Sequence, residues 1–288
     1  MTPRRLATAV LALLTCGAAL AWYVGGKLTE PAPRTLGSPP PALAASTVEI
    51  PSSSGSRLHG WLSRGGAGQG AVLLLHGVRG NRTDMVSRAL FLHQLGYSVL
   101  LIDLQAHGES PGTRITFGGL ESRDVTAATD FLRNALPGER LGVIGVSLGA
   151  AAVVLAKKPL ALDAVVLESM YPTIQQAVRD RLRLHLGVWS DWCAPLLIAQ
   201  LAPRIGVDPN RLRPLNEIGK LGAPLLLIHG ARDQHTTLDE ARQLFAAAAQ
   251  PKTFWVVEGA AHVNLHRFAT QEYGRRVSEF LAANLRRP

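Results

Sequence analysis

Three features of the sequence predict an α/β protein built on a doubly wound, mostly parallel sheet. Short runs that are apolar on both faces recur along the chain: "AVLLLH" (71–76), "SVLLID" (98–103), "LGVIGV" (141–146), "AVVLES" (164–169), "PLLLIH" (224–229) and "TFWVVEG" (253–259). Stretches of helical spacing separate these runs, as a sheet covered by helices on both sides requires. The third run passes through a lone serine between glycines straight into a small-residue helix, "LGVIGVSLGAA" (141–151).

The remaining elements follow in order. Ahead of the first parallel strand, "STVEIPSSSGSRLHGWL" (46–62) alternates apolar and polar residues around a Ser/Gly turn, the pattern of an antiparallel hairpin. The helix of "RTDMVSRALFLHQLG" (82–96) ends on Gly96, and that of "LESRDVTAATDFLRNALPG" (120–138) ends on Pro137-Gly138. "LDEARQLFAAAA" (238–249) and "TQEYGRRVSEFLAANLRR" (270–287) supply two more.

Composition fits one globular domain, with 47% hydrophobic and 18% charged residues in a chain of 288. The two cysteines, Cys16 and Cys193, are too far apart in the chain to suggest a disulfide framework or a thiolate metal site. His76, His107, His229 and His235 sit in separate turns without the H-E-x-x-H spacing, which argues against metal catalysis, and nothing points to a cofactor. The net charge of +9 comes from scattered arginines without a nucleic-acid motif, so no nucleic-acid partner is expected. Attraction to anionic lipid headgroups is the alternative use of that charge. Nothing in the sequence indicates an oligomeric state.

Residues 1–27 read as a membrane address. Arg4 and Arg5 precede 21 uncharged residues, Leu6 to Gly26, close to the length that spans hydrocarbon, with Trp22 and Tyr23 at the far end. One reading is a signal anchor that holds the rest of the chain outside the cytoplasm. The other is a secretory signal peptide cleaved near Ala19-Leu20-Ala21. Residues 28–45, rich in Pro and Ala, read as a semi-rigid tether, and residues 46–288 as the folded domain.

In a doubly wound sheet the working groups lie at the carboxyl ends of the strands. Ser147 follows the third parallel run and opens a helix, the context of a nucleophile elbow. Asp233 lies just beyond the fifth run, in "GARDQHTTL", and His262 just beyond the last, in "EGAAHVNL". A serine, a base and an acid after three different strands can converge on one point, with Ser147 as nucleophile, His262 as base and Asp233 orienting the imidazole. The tight "HGV" turn after the first parallel run offers the Val78 N–H, which with the Leu148 N–H makes two donors for an oxyanion. His266 is a rival base, and Glu168 and Asp163 are rival acids, each better suited to a structural role.

Over residues 46–288 the chain resembles the α/β-hydrolase superfamily. The resemblance rests on the HG turn, "LIDLQAHGESPG" (101–112), the elbow, "HGARD" and "GAAH". Asp103, His107, Gly108 and Ser110 match the superfamily's D-x-x-x-H-G-x-S loop, although Gln105-Ala106 replaces the usual Arg-Gly pair and no Pro follows Asp233. Within the superfamily the chain is similar to serine aminopeptidase-like and monoacylglycerol-lipase-like hydrolases. The resemblance implies hydrolysis of a small-molecule carboxylic ester or thioester. Acyl transfer or peptide cleavage with the same triad, and a non-catalytic binding role on the same fold, stay open. An insertion at 172–215 stands where lids of this superfamily occur. Trp189 and Trp192, with Leu182, Leu186, Leu196, Leu197 and Ile198, are expected to line an acyl pocket together with Tyr171 ahead of the insertion.

Overall fold

The computed structural model describes residues 2–287, and of Val10, Leu13 and Leu14 the backbone alone. Eight strands form the main sheet: β1 (Ser46–Pro51), β2 (Arg57–Ser63), β3 (Ala71–Leu75), β4 (Ser98–Ile102), β5 (Leu141–Val146), β6 (Ala164–Glu168), β7 (Leu225–Gly230) and β8 (Lys252–Val257). Their spatial order is β8-β7-β6-β5-β3-β4-β2-β1; β3 to β8 are parallel, and β2 alone runs the other way, antiparallel to both β4 and β1. Every run read as a strand from the sequence is one, to within two residues at each end.

Alternation across the pleat explains why these strands read as unbroken apolar runs. Leu73, Leu75, Val143, Val165 and Leu227 face α3 (Glu121–Ala135) and α4 (Leu148–Val154). Their neighbours Val72, Leu74, Ile144, Val166 and Leu226 face α2 (Val86–Gln94) and α9 (Thr270–Leu285). Strand order reverses around β3, which lies between β4 and β5, so a crevice opens at the carboxyl ends of β3 and β5.

Two buried guanidinium groups tie the layers together. Arg88 of α2 donates from Nε and Nη2 to the Glu168 carboxylate at 2.9 and 2.6 Å, and the Tyr273 hydroxyl of α9 donates to the same group at 2.6 Å. Arg82 lies 4.5 Å over the Trp61 ring and bridges Asp103 and Glu109, which joins the loop after β3 to the loop after β4. Glu168 is therefore spent on structure, and Asp163 accepts from the Leu141 N–H at 2.8 Å.

Residues Pro3–Thr29 form helix α1, but among the described residues no helix is long and apolar enough to cross a membrane. The last turns of α1 pack on the domain. Arg204 stacks 3.8 Å over the Trp22 ring and donates to its carbonyl, and Gly25 is so close that a Cβ there would sit 2.6 Å from Gln200 Oε1. The Pro/Ala-rich stretch also packs on the domain. Ala32–Pro33 pairs in parallel with His107–Gly108, the Leu36 N–H donates to Glu109 at 3.1 Å, and Leu43 is fully buried.

Ahead of α8 (Leu238–Ala247), the insertion at 172–215 forms α5 (Ile174–Leu186), α6 (Ser190–Ala199) and α7 (Leu201–Ile205), a helical cap. Its tryptophans do not line a pocket: Trp189 and Trp192 are 68% and 78% exposed. Ser190, Ala194, Leu197 and Leu201 occupy the buried stripe at helical spacing, which leaves positions 189, 192 and 196 on the opposite, outer face.

Replacing one member of a buried charge pair leaves the other uncompensated. Glu168→Gln is expected to lower unfolding free energy by about 3 kcal/mol in urea titrations. A loss below about 1 kcal/mol would show that Arg88 finds another partner.

Candidate active site

The chain leaves β5 at Val146 and enters α4 at Leu148, and Ser147 makes the whole turn with φ +49° and ψ −106°. This is a strained conformation for a residue with a side chain. Close packing around the turn holds it. A Cβ on Gly145 would lie 2.7 Å from the Ala150 nitrogen, and one on Gly149 2.7 Å from both Leu75 Cβ and the Leu75 carbonyl oxygen. The two glycines that flagged the motif are thus required by strand–helix contact. The Ser147 N–H donates to the Glu168 carbonyl at 2.8 Å, so the turn is pinned to β6.

Asp233 follows β7 and is buried. Its Oδ1 accepts from the His235 and Thr236 N–H groups at 2.9 and 3.1 Å, and Oδ2 accepts from the Thr236 hydroxyl at 3.1 Å. His262, after β8, donates from Nδ1 to Asp233 Oδ2 at 2.7 Å, which leaves Nε2 as the free nitrogen of the ring. Burial pushes the Asp233 carboxyl up, but the His262 hydrogen bond and charge and the Thr236 N–H outweigh it and hold the group below its usual value. Asp233 stays ionised beside the imidazole.

The neighbouring histidines are structural. Burial pushes His76 down to about 4, so it is neutral; Nδ1–H donates to the Gly77 carbonyl at 2.7 Å, and Nε2 accepts from the Leu104 N–H at 3.1 Å. His107 is also held near 4, by burial and then by His76, and bonds the Gln105 carbonyl at 2.9 Å. His229 is lowered by burial and bonds the Thr236 carbonyl at 2.8 Å, which steadies the acid loop. His266 lies against Phe91 and Tyr273, near Ser87 Oγ at 3.2 Å, and away from Ser147, so it is no rival to His262. The departure at 105–106 also has a local account. Gln105 donates to Glu121 at 2.7 Å and to the Arg114 carbonyl at 2.8 Å, while Ala106 takes a left-handed φ of +60°, where glycine is easier.

Ser147, His262, Val78 and Leu148 open on one cavity of about 430 Å³. Among the described residues neither the Val78 nor the Leu148 N–H is taken up by a hydrogen bond, so both are available to an oxygen in the cavity. Ile174, Val178, Leu182 and Leu197 of the cap form an apolar wall with Phe117 and Tyr171. Tyr171 is where the sequence reading put it, its hydroxyl donating to the Phe117 carbonyl at 2.9 Å. Trp189 and Trp192 are absent from the wall. The reading missed Val24 and Leu28 of α1, which close one side, and Arg79, Arg181, His185 and His235, which make the polar part. Their lack of a motif left no signal; only the fold brings them together.

The family model for serine aminopeptidase, S33, matches residues 66–215, just over half of the 288-residue chain. The chain belongs to this family. The match takes in the elbow and the cap and ends before Asp233 and His262. The protein Rv2307c of Mycobacterium tuberculosis is 33% identical over 226 residues, covering 76% of this chain and 73% of its own. An esterase of Pyrococcus furiosus, Pf2001, has the same architecture at 26% identity with a TM-score of 0.73, over 89% of this chain and 98% of that one. A membrane phospholipase A shares the fold over 97% of this chain and 96% of its own, at 18% identity and a TM-score of 0.61. These likenesses make the protein an α/β hydrolase.

Overpacking against backbone is the sharpest test of the elbow. Gly149→Ala is expected to lower unfolding free energy by about 2–3 kcal/mol, read by urea denaturation. An unchanged midpoint would mean that the strand and helix can separate without cost.

Proposed function

We propose that the protein is a serine hydrolase that cleaves carboxylic esters or thioesters through an acyl-enzyme. The observation that carries this reading is the Asp233–His262 bond of 2.7 Å opening on the same cavity as the strained Ser147 and two unengaged N–H donors. Ser147 Oγ forms a bond to the acyl carbon while its proton passes to His262 Nε2. The carbonyl oxygen becomes an oxyanion held by the Val78 and Leu148 N–H groups, each donor worth about 3–4 kcal/mol of barrier. When the carbonyl re-forms, the bond to the leaving oxygen or sulfur breaks, and His262 returns its proton to that atom. Water then adds to the acyl-enzyme with His262 as base, releasing the acid and restoring Ser147. The charge of Asp233 stabilises the imidazolium in both halves.

The wall chemistry favours esters over the amino-terminal peptides of the family description. Among the described residues no carboxylate lines the cavity, whereas Arg79 and Arg181 do, so a free substrate ammonium has no counter-charge there. We also propose that the protein works at a membrane surface. Leu6, Leu11, Leu20 and Tyr23 of α1 are more than half exposed, and Trp189 and Trp192 of the adjoining cap expose aromatic faces suited to a lipid interface.

The test uses the full chain in mild detergent, because α1 forms part of the cavity wall. Esters from acetyl to palmitoyl and aminoacyl anilides are compared across the wild type, Ser147→Ala and Asp233→Asn. Ester hydrolysis is expected to fall at least about 10⁴-fold in Ser147→Ala and about 10⁴-fold in kcat in Asp233→Asn. Ester turnover that survives Ser147→Ala, or anilide turnover alone, would contradict the reading.

A further inference from the structure

The cavity that holds Ser147 and His262 is apolar around Phe117, Tyr171, Ile174 and Leu197, yet among the described residues it carries two guanidinium groups and no carboxylate. Arg79 donates to the Lys27 carbonyl. Arg181, on α5 of the cap, makes no hydrogen bond or ion pair among the described residues, and it is exposed at the cavity. Asp233 holds His262. Asp180 and Glu240 lie against each other, with Glu240 pushed up to about 8 by burial and by Asp180 against the pull of the Thr237 N–H. Asp191 stands 3.8 Å from Arg183, on the outer side.

Arg181 also has a definite place relative to the chemistry. The His235 ring is 5.1 Å from that of His262. Arg181 and His235 line this cavity together with His262, so the imidazole side of the site carries the guanidinium charge, which adds to burial in holding His235 below its usual value. His262 is the group that hands its proton to the departing oxygen, so that side receives the alcohol portion of an ester. The acyl portion belongs with the apolar wall.

We propose that Arg181 receives an anionic group on the alcohol portion of the substrate, so that the substrates are acyl esters of phosphate- or carboxylate-bearing alcohols. This rests on the serine-hydrolase reading above. A planar guanidinium accepts either anion through paired N–H donors, and it rejects a cationic alcohol such as a choline ester by repulsion.

The test compares 1-decanoylglycerol 3-phosphate and the decanoyl ester of glycolate with neutral 1-decanoylglycerol. All are kept monomeric and at one physiological salt concentration, because a net charge of +9 attracts any anion at low salt. The anionic-to-neutral ratio of kcat/KM is expected to be about tenfold, the size of one charge-assisted contact. It should collapse to about one in Arg181→Gln, mainly through KM, and recover in part in Arg181→Lys. Arg183→Gln makes the same charge change outside the cavity and should leave the ratio as in the wild type. A preference for the phosphate alone, or for the carboxylate alone, identifies which anion the site is built for. Equal hydrolysis of neutral and anionic esters, or a ratio that survives Arg181→Gln, would overturn the proposal and leave the hydrolase reading standing. No hydrolysis of any of the three esters by folded protein would overturn both.

Discussion

The carboxyl edge of the sheet is organised around a backbone conformation that serine does not adopt by preference. With φ +49° and ψ −106°, Ser147 stores strain of about 1–3 kcal/mol, which the turn cannot sustain by itself. The contacts of Gly145 with Ala150 and of Gly149 with Leu75 press strand and helix together so closely that the turn has no other path. Because the turn is fixed, the Leu148 N–H at the start of α4 is fixed beside the hydroxyl. The HG turn after β3, kept in shape by the neutral His76, sets the Val78 N–H against the same cavity. Positioning of this kind is what makes donors effective, since they need not reorganise when charge develops.

Charge is distributed with the same economy. Three buried carboxylates near the site have a basic or hydroxyl partner: Glu168 with Arg88 and Tyr273, Asp103 with Arg82, and Asp233 with His262. The cavity is left with basic side chains facing an apolar wall. An apolar tail and a negative head are the two substrate properties that such a lining can tell apart, which links the acyl chemistry proposed for Ser147 to the role proposed for Arg181.

The sheet was legible in the sequence because its strands are apolar on both faces and two of its helices end on Gly96 and Pro137-Gly138, signals that act over a few residues. The three residues of the candidate triad were legible because each follows a strand. What the sequence did not disclose depends on contacts between distant segments. A stretch of uncharged residues with Trp22 near its end reads as a membrane span, but Arg204 and Gln200, far along the chain, engage its last turns. The Pro/Ala-rich segment reads as a tether because its pairing partner, His107–Gly108, lies in a remote loop. Trp189 and Trp192 read as pocket aromatics because size and apolarity say nothing of which helix face is buried. Arg181 belongs to no motif, and only the docking of the cap brings it to the cavity.

The central claim is that Ser147 is an activated nucleophile, and covalent labelling tests it without any choice of substrate. Full-length protein is treated with a fluorophosphonate, its mass is measured intact, and the modified peptide is mapped. The account predicts one adduct, on Ser147, formed at a rate that falls steeply in His262→Ala. A folded protein that takes up no label, or takes it up on another residue, would contradict it.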